Sequence, residues 1–248
     1  MSNRSIHTLL KNWDEECPLT REEAVEVLNL PEEEMDSLME CAYALRTKYK
    51  GKKVSVQLLT NVRSGNCTQN CAYCAQSKDS QAEIEKYKRV SDEKLYGDND
   101  LVDEKHLARH CIGLSGIGFS DEEIEDLADR IREMKKKDTQ ICCSIGFLTE
   151  KQARILKDAG LDRINHNLNS SRSFYPEICT THTYDQRVNN IKMLQSLGFE
   201  ICSGGIVGMG ESKEDIVDML MDLREINPES VPINFLLPIP GTKLADRD

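Results

Sequence analysis

QICCSIGFLTEKQARILKDAGLDRINHNL, residues 140–168, carries the fold in miniature. QICCSIG (140–146) is an apolar run of strand length. Thr149 with Gln152 three positions on is a capping box, so a helix opens there and stops at Gly160. LDRINHNL (161–168) is the next strand. Two strands joined through a helix run parallel.

The same unit repeats in both directions. Upstream, ARHCIGLS (108–115) is a strand, and Ser120 with Glu123 caps a helix striped by Ile124, Leu127, Ala128, Ile131 and Met134. KVSVQLL (53–59) reads as the first strand. Downstream, Thr183 opens a helix carrying Val188, Ile191 and Leu194 and ending at Gly198. FEICSGGIVG (199–208) is a fifth strand, Ser212 opens a helix carrying Ile216, Met219, Leu220 and Leu223, and VPINFLL (231–237) is a sixth strand. Near-continuous apolar strands imply a parallel sheet covered by helices. No GxGxxG follows the first strand, which weakens a dinucleotide-binding sheet. Six strands fall two short of a closed eight-stranded barrel. The expected fold is therefore α/β, an open partial (β/α) barrel of about six parallel strands.

Residues 1–50 read as an N-terminal helical segment ahead of a barrel core over 51–248. Thr20 with Glu23 caps a first helix, Pro31 starts a second, and Met35, Leu38, Met39, Ala42 and Leu45 keep its period up to Gly51. One stretch resists the pattern. Gly97, Asp98, Asn99 and Asp100 are poor helix formers, so a broken or shortened helix is expected between Ser91 and His110.

Lys and Arg number 32 against 43 Asp and Glu, a net charge of −11 over 248 residues. Such a chain repels phosphate backbones, and aromatics at 5% supply few stacking platforms, so nucleic acid is not an expected partner. No 18-residue apolar run reads as a membrane span, and the first residues carry no secretory h-region. A cytoplasmic setting is expected. Ten cysteines in a reducing compartment point to metal or catalytic chemistry before disulfides.

Cys67, Cys71 and Cys74 form C-x3-C-x2-C in NCTQNCAYCAQS, directly after the first strand, where a β/α barrel places its chemistry. Three thiolates on one loop bind three corners of a [4Fe–4S] cluster and leave the fourth iron open. A zinc knuckle would want a fourth Cys or His nearby, and none follows within several residues. The spacing resembles that of the radical S-adenosylmethionine (SAM) enzymes. The resemblance implies that the open iron binds SAM and that one electron releases a 5′-deoxyadenosyl radical. It also implies that Tyr73 sits beside the adenine.

Cys111, Cys142 and Cys202 lie in the second, third and fifth strands, each followed by small residues. They pack as small core residues or hold a second metal centre. Cys143 must point to the opposite face from Cys142 and reads as packing; Cys17, Cys41 and Cys179 read as structural or incidental. In RINHNL, alternation puts Asn165 and Asn167 on one face and His166 on the other, a packed core histidine.

SGNCTQNCAYCAQS (64–77), RINHNLNSSRSFYPEICTTHTYDQR (163–187), EICSGGIVGMGES (200–212) and SVPINFLLPIPGTKLA (230–245) together resemble the biotin synthase family, over roughly residues 30–246. The resemblance implies radical SAM sulfur insertion converting dethiobiotin to biotin. It implies a [2Fe–2S] cluster on Cys111, Cys142 and Cys202 that supplies the sulfur. It places Asn165 and Asn167 against substrate, Asn167 and Asn169 against SAM, and Asn234 against the ureido ring. It places Arg63 near the substrate and Arg187 at the SAM carboxylate, where a guanidinium fork suits a carboxylate. Gly204 and Gly205 would let backbone approach SAM, or mark a bend in the strand. The family further implies a homodimer and an electron donor such as flavodoxin or ferredoxin.

The sequence departs from that family in three places. It stops at Asp248, where the family continues with two more strand–helix units and an arginine ligand to the [2Fe–2S] cluster. Asn169 stands where the family usually has an acidic residue, so weaker SAM binding is expected. LYGDNDLVD stands where a regular helix belongs. Two other readings remain: a radical SAM reaction without sulfur donation, and an inactive truncated iron–sulfur protein.

Overall fold

The computed structural model describes residues 18–247; Cys17 and the helical reading of the first residues lie outside them. Thr20 and Glu23 make the reciprocal capping box that opens α1 (Arg21–Leu28). A 3-10 turn after Pro31 leads into α2 (Met35–Lys50), which Gly51 ends at φ +64°.

The core then alternates. Its elements are β1 (Gln57–Arg63), α3 (Asp92–Glu104), β2 (Arg109–Leu114), α4 (Asp121–Met134), β3 (Ile141–Ser144), α5 (Glu150–Asp158) and β4 (Arg163–Asn165). After these come the short α6 (Tyr175–Ile178), α7 (Tyr184–Ser196), β5 (Glu200–Cys202), β6 (Gly205–Val207), α8 (Lys213–Ile226) and β7 (Ile233–Phe235). The boxes at Ser120, Thr149, Thr183 and Ser212 all form. An Arg21–Asp218 ion pair (2.5 Å) and a bond from Arg224 to the Leu19 carbonyl (2.7 Å) hold α1 on α8.

β1 to β5 pair in chain order, all parallel, and β6 pairs parallel with β7. Single bridges at Asn169–Gly205 and Cys202–Ser230 carry the wall from the first sheet into the second. This is the open partial barrel expected from the alternation. The core lies between the sheet and its helices: Ile112, Ile141, Ile164 and Ile201 on the strands meet Ile124, Leu127 and Ile131 of α4 and Leu156 of α5. Among the described residues no helix is long and apolar enough to cross a membrane.

Four expectations need correction. The first strand spans 57–63, not 53–59, because pairing with β2 begins at Gln57–Arg109 and leaves Val54 and Val56 exposed. The fourth strand covers only Arg163–Asn165 of the 161–168 run. The fifth breaks into β5 and β6 at Ser203–Gly204, where β7 crosses so closely that a Cβ on Gly204 would strike the Pro232 carbonyl.

The fourth correction concerns LYGDNDLVD, which is an unbroken part of the 13-residue helix α3. Asp98 and Asn99 face inward, not to solvent. Asp98 accepts from Thr60 Oγ1 (2.6 Å) and pairs with Lys94 (2.7 Å). Asn99 donates to the Met134 carbonyl (3.1 Å) and meets His110 Nδ1 (3.1 Å), while His110 Nε2 meets Thr60 (2.8 Å). These buried bonds override a propensity deficit of under about 1 kcal/mol per residue.

Candidate active site

Strand register fixes two lateral rows on the inner face of the barrel. Cys111, Cys142, Arg163 and Glu200 are successive partners across β2 to β5. Gly113, Ser144, Asn165 and Cys202 form the next row toward the strands' C-terminal ends. The two rows place Cys111, Cys142 and Cys202 around one cavity of about 400 Å³, with Arg163 and Asn165 in its wall. Cys111 donates to Gln57 (2.9 Å) and Asn165 donates to the Cys202 sulfur (3.1 Å). A hydrogen bond from Cys142 and the charges of Arg109 and Arg163 hold the Cys111 thiol down at about 7, and the same bond with burial pushes Cys142 up. Cys143 turns outward into the hydrophobic core, fully buried.

A second cavity of about 270 Å³ opens above the first, lined by Cys67, Cys71 and Cys74 on the loop after β1. Gly65 and Asn66 turn that loop through left-handed backbone at φ +71° and +52°. The loop is then pinned. Ser115 donates to the Gly65 carbonyl (2.6 Å), and Ala72 N–H donates to the Ile178 carbonyl (2.8 Å). Inside the C-x3-C spacing, Asn70 donates to Thr180 (2.7 Å) and accepts from the Thr180 N–H (3.0 Å).

Tyr73, Asn165, Asn167, Asn169, Arg187 and Asn234 line this upper cavity with the loop cysteines. Arg187 is held by Tyr175 OH and by His182 Nε2 (2.8 Å). Asn167 Oδ1 accepts from the Gly204 N–H (3.1 Å). Asn169 sits at φ +71°, a conformation asparagine tolerates better than most residues, so the backbone constrains its type.

Three other expected site residues stand elsewhere. The irregularity between Asn61 and Arg63 turns Arg63 away from the cavity, onto Glu123 (3.0 Å) and the Phe119 ring. Gly204 and Gly205 serve packing, since Cβ atoms there would strike Pro232 and Met219. Conversely, His166 lines the upper cavity beside Asn165 and Asn167, because β4 ends at Asn165 and strict alternation ends with it. Burial and the Arg187 charge push its pKa down to about 3, and its buried Nε2 has no hydrogen-bond partner among the described residues.

Cys179 was not anticipated as part of this site. Its sulfur lies 3.9 Å from Cys71 Sγ and 3.3 Å from His182 Nδ1. Separation by 108 positions hides that contact from any sequence pattern.

The donor set suits the guests the motif implies. Three unbridged cysteines converge on the upper cavity, and no carboxylate among the described residues lines it. Thiolate-ligated iron is anionic, and Arg187 supplies the one guanidinium in that wall among the described residues.

Residues 61–223 match the Radical SAM superfamily. The chain is 42% identical over 228 residues to the biotin synthase of Geobacillus kaustophilus, covering 92% of this chain and 68% of that protein. It is 40% identical to that of Bacillus subtilis, covering 91% and 68% respectively. The chain belongs to the biotin synthase family of radical SAM enzymes. It spans about two thirds of the length of these relatives. Methylornithine synthase has the same fold, with a TM-score of 0.85 at 18% identity over 97% of this chain and 70% of that one. Family membership implies a [4Fe–4S] cluster and SAM, and Cys67, Cys71 and Cys74 are the residues fitted to hold the cluster.

Proposed function

We propose that this chain inserts sulfur into dethiobiotin, forming biotin by a radical SAM reaction. One observation carries the reading: Ser144 and Asn165 line both cavities, so a molecule held above them lies next to the strand cysteines below. When bound, the [4Fe–4S] cluster and SAM supply a 5′-deoxyadenosyl radical that takes hydrogen from an unactivated carbon.

The chain's own residues position the reactants. Cys67, Cys71 and Cys74 hold three irons and leave one for SAM. Arg187, braced by Tyr175 and His182, pairs with the SAM carboxylate in a wall that holds no competing acid among the described residues. Tyr73 lies beside the adenine, and Asn167 and Asn169 hydrogen-bond SAM. Asn234 meets the ureido ring of dethiobiotin from β7. Cys111, Cys142 and Cys202 hold a [2Fe–2S] cluster, and Arg109 and Arg163 offset its negative charge. Asn165, bonded to Cys202 and exposed to the upper cavity, orients the sulfur-bearing side of the site toward substrate. An electron from flavodoxin or ferredoxin, a cytoplasmic setting and a homodimer complete the reading.

The test separates the two cysteine sets. Reconstituted chain is assayed for 5′-deoxyadenosine and for biotin, with Cys111, Cys142 and Cys202 replaced together by alanine. Retained SAM cleavage with lost biotin supports the reading. Biotin formed without those cysteines rejects the sulfur assignment, and no SAM cleavage in the parent rejects the radical one.

A further inference from the structure

Gln69 lies inside the C-x3-C spacing of the cysteine loop, buried beneath it at 8% exposure. A chain of hydrogen bonds leads from it to Arg187, and its polarity is fixed from the far end. A guanidinium only donates, so His182 Nε2, 2.8 Å from Arg187 Nη2, must present its lone pair. A neutral imidazole then carries its proton on Nδ1. That N–H donates to Gln69 Oε1 at 2.9 Å, while Gln69 Nε2 turns away and donates to Thr68 Oγ1 (2.9 Å). The ring is held in place by Phe147 and Tyr175, which meet it edge-on with centroids at 5.6 and 5.9 Å.

A second neighbour makes the Gln69 oxygen decisive. Cys179 Sγ lies 3.3 Å from the same Nδ1. A thiol is a weak acceptor and also a weak donor, so the amide oxygen outcompetes it for the Nδ1 proton. With that oxygen removed, the Cys179 thiol donates to Nδ1 and the ring proton moves to Nε2. An N–H then faces the N–H of Arg187, and the bond between them is lost. Tyr175 alone, at the guanidinium Nε, remains to hold the arm.

We propose that Gln69 is a positioning residue for SAM: by fixing the tautomer of His182 it holds Arg187 in the pose that takes the SAM carboxylate. The loop that carries the cluster ligands and the arm that grips SAM are thereby set by one chain of hydrogen bonds. Gln69 lines the upper cavity but acts through His182. The inference rests on the role proposed above for Arg187 and adds the residue that orders it.

Two measurements on the full chain test it. The first is nitrogen NMR of the histidine rings in the cluster-free chain under anaerobic reducing conditions, with His182→Leu used to assign the signal. The Nδ1–H tautomer is expected in the parent, and the Nε2–H tautomer in Gln69→Leu. The second is equilibrium binding of SAM to the reconstituted chain, expressed per cluster. Gln69→Leu and His182→Leu each weaken binding about tenfold, the worth of one hydrogen bond to a charged group. Gln69→Leu adds no further loss in the His182→Leu background, because the two act in series. The Nε2–H tautomer in the parent, an unchanged tautomer in Gln69→Leu, or parent affinity in Gln69→Leu overturns the proposal. So does a further tenfold loss in the double variant, which would mean that Gln69 meets SAM directly. Parent affinity in Arg187→Ala overturns the reading of Arg187, and the proposal with it, whatever the tautomer; lost affinity there with parent affinity in Gln69→Leu overturns the proposal alone. Thermal melts and iron content establish that each variant is folded and loaded.

Discussion

Asn165 donates to the sulfur of Cys202 at 3.1 Å while forming part of the wall of the cavity that holds the C-x3-C-x2-C loop. One side chain thus touches both halves of the chemistry. Its β4 position, opposite Cys202 in register, makes this contact unavoidable once the strands pair. Asn165→Ala removes one hydrogen bond to sulfur, a loss of about 1–1.5 kcal/mol. Biotin formation should fall about tenfold while 5′-deoxyadenosine release changes little. Equal loss of both products in a single-turnover assay would sink the coupling role.

Asn70 ties the cysteine loop to residues 180 and 181 through its amide oxygen and nitrogen. Asn70→Ala frees the loop at its middle, at a cost of about 1–3 kcal/mol for the groups left unpaired. Iron should leave the reconstituted variant faster than the parent in the presence of a chelator. Equal release rates would show that the clamp does not serve cluster retention.

Gly204 and Gly205 make opposite demands on their neighbours. An added Cβ at Gly204 meets backbone, the Pro232 carbonyl, whereas at Gly205 it meets the end of the Met219 side chain. A methionine can swing aside, but a backbone carbonyl cannot. Gly205→Ala should cost about 1–3 kcal/mol, the range for overpacking, and Gly204→Ala more. Urea unfolding of the two variants decides the order.

His110 is fully buried, and desolvation pushes its pKa down to about 4, against 6.5 for the free side chain. The unfolded chain therefore binds a proton that the folded chain refuses. The stability this supports is complete above pH 6.5 and is lost as pH falls toward 4. The loss from this residue is about 2 kcal/mol at pH 5 relative to pH 8. His110→Gln should shrink the pH-dependence of urea unfolding over that window, and an unchanged slope would refute the assignment.

The sequence by itself determined the alternation, the parallel sheet and the cysteine loop. Those signals are local: a capping box such as Thr149 with Gln152 closes its bonds within one turn, and C-x3-C-x2-C lies on a single loop. The alternation also set Cys143 on the opposite face from Cys142, because side chains on a strand repeat every second residue, while the pairing of Cys111 with Cys142 is a matter of register. Tertiary structure decided the rest. LYGDNDLVD is helical because Thr60, His110 and the Met134 carbonyl, all distant in sequence, satisfy its polar side chains. Arg63 left the site because a register shift turned it over, and His166 entered because its strand ended one residue earlier. Cys179 met Cys71 only because α6 folds back onto the cysteine loop through the bond from Ala72 to Ile178. Local hydrogen bonding and periodicity can be read along a chain, whereas register and close approach depend on which distant atoms compete for the same space.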